Sequence, residues 1–131
     1  GDVMRYLVDT HVLIWAVSCS EKLSAVAKRA LAQVDGSYFF SPVSVWEIAI
    51  KHGKHPDDMP MTGKEAARLF REAGFRELKP DAAQCAAVED LPPIHADPFD
   101  RLLIAQAKSM GMKLITHDHL IAGYGDVALV V

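Results

Sequence analysis

The sequence predicts an α/β fold, a three-layer α/β/α sandwich around a mostly parallel central sheet. Short apolar runs of strand length alternate with segments of helical periodicity, which is the pattern of βαβ units joined by right-handed crossovers. Most helical segments carry their own capping or stop residues. The last run, Val127 to Val131, is nearly all apolar, as expected of a strand in a sheet covered on both faces. At 131 residues, without an internal repeat or a low-complexity linker, the chain suits one domain spanning 1–131. Residues 1–3, ahead of Met4, are expected to be an appended remnant and receive no structural weight.

Arg5 to Asp9 reads as the first strand, with Thr10 capping a helix from His11 to Val17. Ser20 or Glu21 opens a second helical stretch through Leu23, Val26, Ala27, Ala30, Leu31 and Val34, ended by Asp35-Gly36. Ser37 to Phe40 is strand-like, and Ser41-Pro42 places an N-cap and an N1 proline before a helix running to about His52, closed by Gly53. Lys54 to Met61, with its two prolines, is a loop. Thr62 and Glu65 form a capping-box pattern for a helix stopped by Gly74, and Phe75 to Leu78 reads as a strand. Asp81 and Gln84 cap a helix to about Glu89, and Leu91 to Ala96 is a loop. Asp97-Pro98 starts a strongly periodic helix stopped by Gly111, and Met112 to Thr116 is a further strand.

Fourteen Lys and Arg against seventeen Asp and Glu give a net charge of -3, which excludes a bulk basic field for coating nucleic acid. Cys19 and Cys85 lack metal-ligand spacing and read as buried small hydrophobes rather than a disulfide. No apolar run reaches the roughly 18–20 residues of a membrane span, so no membrane association is expected, and a cytoplasmic location is the expectation.

Ligands of open parallel sheets bind at the carboxyl ends of the strands. Asp9 ends the first strand, and Asp118 lies two residues beyond the strand that finishes at Thr116. Glu47 and Asp100 fall early in helices, Glu47 in line with Val43 and Ile50, Asp100 with Leu103, Ile104 and Ala107. Side chains three and four apart share a face, so both acids point inward, where an unpaired charge costs several kcal/mol. Four carboxylates gathered there raise one another's pKa values, and a divalent metal resolves the conflict. Oxygen-only ligands suit Mg²⁺ or Mn²⁺, and the implied chemistry is phosphodiester hydrolysis. Each acid also has a plainer reading: a turn residue for Asp9, a capping box with Ser44 for Glu47, a favourable helix terminus for Asp100, and helix caps for Asp97 and Asp118.

These stretches resemble PIN-domain ribonucleases, and more closely the VapC toxins of bacterial toxin–antitoxin pairs. The resemblance rests on Leu7-Val8-Asp9-Thr10-His11, on Ser44 to Lys51, on His95 to Ala107 with its Asp-Pro-Phe-Asp-Arg core, and on Leu114-Ile115-Thr116-His117-Asp118. It implies an acidic pocket that binds Mg²⁺ or Mn²⁺ and cuts single-stranded RNA, with Asp9, Glu47, Asp100 and Asp118 as ligands. Asp97 replaces Asp100 if the helix start shifts. Thr116 is implied to orient Asp118 or a bound water. A cognate antitoxin and a homodimer are the implied partners.

Lys51, His52, Lys54 and His55 form a local positive patch, with Lys51 and Lys54 as candidate RNA contacts and a solvated helix end as the alternative. Arg101 either holds a phosphate or braces a neighbouring carboxylate. The histidines lack a His-Glu-x-x-His or cysteine pair, so zinc is disfavoured. Trp15 and Trp46 read as core or dimer packing rather than base stacking. The rival reading is a non-catalytic PIN-like or receiver-like regulatory module with an acidic metal pocket. A receiver, however, wants paired acids after its first strand and a lysine near Thr116, and neither is present.

Overall fold

The computed structural model describes residues 3–131, so the first two residues of the expected remnant lie outside the described residues, and Val3 is exposed ahead of the first strand. Among the described residues five strands, β1 (Met4–Val8), β2 (Gly36–Phe40), β3 (Arg76–Glu77), β4 (Lys113–Thr116) and β5 (Ala128–Val130), pair in the order β3-β2-β1-β4-β5. Every pairing is parallel. The helices are α1 (Thr10–Val17), α2 (Ala25–Ala30), α3 (Pro42–Lys54), α4 (Gly63–Glu72), α5 (Ala82–Ala86) and α6 (Pro98–Ser109), with 3₁₀ turns at Ala87–Asp90 and His119–Tyr124. None of them, among the described residues, is long and apolar enough to cross a membrane.

Strand alternation divides the interior in two. Tyr6, Val8, Phe40 and Ile115 face one core with Leu13, Ile48 and Phe70, while Leu7 and Leu114 face the other with Leu103, Ile104 and Ile121. The sheet is therefore the middle of three layers, as the alternation of runs predicts. The chain walks from β1 outward through β2 to β3, then returns to the other side of β1 with β4 and β5. That reversal puts a topological switch point between β1 and β4, the place where open α/β sheets bind ligands.

Several local expectations are corrected. Asp9, not Thr10, caps α1, because its carboxylate accepts from the Val12 N–H while the Thr10 hydroxyl turns inward. The second helix begins only at Ala25, capped by Ser24. It ends early because the Tyr38 hydroxyl and the Gln33 side chain both donate to the Ala30 carbonyl, leaving Val34 fully exposed. Helix α3 runs through Gly53 and is capped at His55, and the expected helix to Glu89 tightens into a 3₁₀ turn after Ala86. The capping boxes at Thr62/Glu65 and Asp81/Gln84 both form, and Gly74 and Gly111 take positive φ where they stop their helices. Asp118 caps the last 3₁₀ turn. The apolar β5 is an edge strand, partly buried rather than enclosed. Both cysteines are free and exposed. Cys19 sits in the turn after α1, and Cys85 lies beside the buried Gln84 on the solvent side of α5. Trp46 is 59 % exposed, so it is no core residue.

Phe70 is fully buried and packs on Phe40 and Phe75, tying α4 to the sheet. Truncation to alanine should cost about 3–5 kcal/mol in urea unfolding at constant m-value. A loss below about 1 kcal/mol would mean that α4 is not part of the cooperative core.

Candidate metal centre and acid cleft

Asp9 follows directly on the central strand and is 4 % exposed. One oxygen accepts from the Val12 N–H at 3.2 Å, and the other accepts from the Thr116 hydroxyl at 2.5 Å. The same Thr116 oxygen accepts from the Asp118 N–H at 3.0 Å. Thr116 thus orients the Asp118 turn and also holds Asp9. Register makes this possible: Val8 pairs with Ile115, so the next residue of each strand stands side by side at the carboxyl edge.

Glu47 lies on α3 and is 2 % exposed. Its Oε1 accepts from the Thr10 hydroxyl at 2.9 Å, and Thr10 also lies 2.9 Å from the Ser44 hydroxyl. A hydroxyl has one proton, so Thr10 donates to the carboxylate and Ser44 donates to Thr10. The capping box between Ser44 and Glu47 does not form, since Ser41 caps the helix. Glu47 Oε2 is ion-paired with Lys51 one turn on. Lys51 therefore serves the acid rather than a free positive patch, and His52 is held by the Met59 carbonyl, leaving Lys54 and His55 as the exposed basic groups of that segment.

Asp97 spends one oxygen on the N–H groups of Phe99 and Asp100, at 2.8 and 3.2 Å, as the N-cap of α6. Asp100 points inward from the first turn. His95, which sequence reasoning passed over, joins the acids: its Nε2 lies 2.6 Å from Asp118 Oδ2 and 3.2 Å from Asp100 Oδ2. Its Nδ1 accepts from the Asp97 N–H at 3.1 Å, which leaves the ring proton on Nε2, shared between the two carboxylates. The available signal was a histidine two residues before the N-cap aspartate, a spacing that lets an imidazole fold back on the cap. Thr10 and Ser44 were likewise missed as partners of Glu47.

Asp9, Asp97, Asp100 and Asp118 line one cleft of about 410 Å³. Its remaining wall is made of rings, those of His11, Trp15, His95 and His117. Glu47 stands behind this lining, where its charge still reaches Asp100. Among the described residues, His95, Asp100 and Asp118 bring potential ligand atoms within 4.8 Å of one another.

The electrostatics are those of crowded acids. Burial, followed by the charges of Asp97, Asp9 and Glu47, pushes the Asp100 carboxyl up to about 7. Burial also raises Asp9, against the opposing hydrogen bonds from Thr116 and Val12. Burial works upward on Asp118 too, but the hydrogen bond from His95 and the backbone bond from Leu120 outweigh it and hold Asp118 below its usual range.

Arg101 neither braces a carboxylate nor faces the cleft. Its guanidinium donates to the carbonyls of Val88, Leu91, Pro92 and His95 and to the Tyr124 hydroxyl, at 3.0 to 3.4 Å. It pins the loop that delivers His95, because a five-donor planar fork can gather several carbonyls where an ammonium cannot.

A family model described as PIN domain matches residues 6–126. Among solved structures, the chain is similar to VapBC2 from Rickettsia felis, solved with a DNA fragment from their promoter, at TM-score 0.72 and 12 % identity over 98 % of this chain and 99 % of that one. It is also similar to a toxin–antitoxin complex from Klebsiella pneumoniae, at TM-score 0.64 and 18 % identity, covering 95 % and 96 % of the two chains. VapC20 of Mycobacterium tuberculosis, described as a sarcin–ricin loop cleaving toxin, matches at TM-score 0.62 and 16 % identity over 92 % and 95 %. At such identities the shared property is the fold. No curated protein matches the chain by sequence.

Because Asp100 binds its proton more tightly folded than unfolded, its contribution to stability falls as pH rises from about 4 through about 7. Without metal, Asp100→Asn should melt above the parent at pH 8, by roughly 1 kcal/mol once solvent screening of a partly exposed group is allowed for, and not at pH 4. Equal differences at both pH values would remove acid crowding as the cause. Arg101→Lys should destabilise the fold by about 1–2 kcal/mol in thermal melts, since several part-buried carbonyls lose their donor. An unchanged melting temperature would show that the loop holds without the fork.

Proposed function

This chain belongs to the PIN domain family, and we propose that it is a metal-dependent endoribonuclease that cleaves single-stranded RNA as the toxin of a toxin–antitoxin pair. The observation that carries this reading is the set of inward carboxylates at the switch point, crowded enough to push Asp100 to about 7. Similarity to toxin–antitoxin complexes supports the antitoxin partner, and a homodimer and a cytoplasmic setting belong to the same reading.

The donor set fits a hard divalent cation. Its oxygens come from carboxylates, and the His95 nitrogen nearest them carries the ring proton, which disfavours zinc and suits Mg²⁺ or Mn²⁺. Asp9, Glu47, Asp100 and Asp118 would hold the ion. Asp97 has one oxygen committed to the helix cap, which favours Asp100 over it. When bound, the ion supplies Lewis acidity for attack of water on the phosphodiester and for departure of the ribose oxygen.

The protein's own groups organise that chemistry. Thr116 and the α1 amide fix the two oxygens of Asp9, and Thr10 with Ser44 fixes one oxygen of Glu47. Lys51 neutralises Glu47 and must swing aside for that carboxylate to become a ligand. His95 holds Asp118 and Asp100 at a common point, and Arg101 holds the loop of His95. Lys54, exposed at the end of α3, remains the candidate phosphate contact of the basic segment.

The test is gel-resolved cleavage of bacterial RNA by the purified protein. Bands should appear with Mg²⁺ or Mn²⁺, vanish with chelator, and fall by roughly 100-fold or more in Asp9→Asn and Asp100→Asn while circular dichroism stays unchanged. Wild-type rates in either variant would withdraw that residue from the ligand set. Metal-independent cleavage, or none on any RNA from the host, would overturn the nuclease reading.

A further inference from the structure

The acid cleft does not end at the acids. His11 and Trp15 line it and also line a second groove of about 310 Å³, which continues past Ser18 and Ser20 to Lys22 and Asp58. The two grooves therefore form one path leading from the carboxylates along the exposed side of α1. Three rings of its lining are in contact: His11 lies 5.9 Å from Trp15, and Trp15 lies 5.1 Å from His117, which lines the acid cleft. These contacts are tilted or edge-on, and a T-shaped contact occupies at most one face of one of the two rings. None of these contacts is a face-to-face stack.

The rings are positioned rather than loose. Trp15 packs partly against the core, and the His117 Nδ1 lies 2.8 Å from the Val131 carbonyl at the end of the chain. The far end of the path carries one cation and one anion, Lys22 and Asp58, so it offers little net attraction for a polyanion. What it offers is π-surface with a few hydroxyls, which is the chemistry that holds unpaired bases irrespective of sequence.

We propose that His11, Trp15 and His117 form a stacking rail that carries the bases flanking the scissile phosphate out of the acid cleft and along α1 toward Lys22. The occupant is single-stranded RNA, so the inference rests on the nuclease reading and names how that site grips its substrate. It reverses the expectation that Trp15 serves packing alone. A duplex does not fit the rail, because its bases are already stacked on each other and their faces are withheld. Affinity owes more to stacking than to phosphate neutralisation, and its salt dependence is shallow.

The experiment uses the full-length protein with Mg²⁺ and an unstructured RNA oligonucleotide carrying 4-thiouridine on either side of the cleavage point. Crosslinks mapped by mass spectrometry should fall on His11, Trp15 or His117. His117→Ala should raise KM about 10-fold with little change in kcat, Lys22→Ala should change KM less than 3-fold, and Trp15→Phe should keep affinity where Trp15→Leu loses it. Trp15→Phe keeps a ring in the partly buried position, so it separates stacking from folding. If wild type cleaves RNA while crosslinks fall elsewhere and His117→Ala keeps its KM, the rail is overturned, the nuclease stands, and the groove is left to a protein segment. If crosslinks map to the rings but no metal-dependent cleavage occurs, the rail stands and the nuclease reading falls.

Discussion

A carboxylate buried at the end of the central strand stays in place only if its neighbours replace the water it has lost. Asp9 meets this condition with two donors from different elements, the amide of α1 and the hydroxyl of Thr116 on β4. The first donor requires the chain to turn into a helix at once, and the second requires β1 and β4 to be adjacent and in register. The switch point and the acid cleft are thus one structural fact. Moving either strand by one residue would turn Thr116 toward the opposite face and strand the charge.

The second acid layer is solved differently. Glu47 cannot rely on water either, and it is answered by a hydroxyl relay through Thr10 and Ser44 and by Lys51. Asp118 is more open and shares the His95 proton. Among the described residues, Asp100 has no hydrogen-bond donor of its own beyond the shared His95 proton, and burial with the neighbouring acids carries its carboxyl to about 7. The least compensated charge therefore lies on a residue that lines the cleft, the arrangement expected if a cation from outside is to complete the site.

Much of this was legible in the sequence because it depends on local register. Strand ends place Asp9 and Asp118, helical periodicity turns Glu47 and Asp100 inward, and capping patterns at Ser41, Thr62, Asp81 and Asp97 set helix starts within a residue or two. What stayed hidden depends on which side chain wins a shared partner. The sequence does not say that Tyr38 takes the carbonyl on which α2 would have continued, that Arg101 is spent on loop carbonyls, or that Lys51 belongs to Glu47 rather than to solvent. Residue type predicts burial of Cys19 and Cys85, but it is a weak guide where a turn or a short amphipathic helix decides the facing. His95 was hidden because its importance lies in a loop, where no periodicity marks direction.

A chain with net charge -3 and an acidic cleft is poorly equipped to attract RNA through its overall field. Under the proposed function, two devices would compensate without changing that charge. In the proposed nuclease a bound divalent cation would invert the sign of the cleft where the phosphate must sit, and ring faces along α1 would engage bases, whose stacking is indifferent to the protein's charge. The division has a consequence for selectivity. Duplex RNA presents mainly phosphate and ribose, so an acidic surface repels it while offering its rings nothing to hold, whereas an unpaired strand exposes the faces the rings can use. In the proposed nuclease, discrimination for single strands would then follow from the same shortage of positive charge that would otherwise count against it.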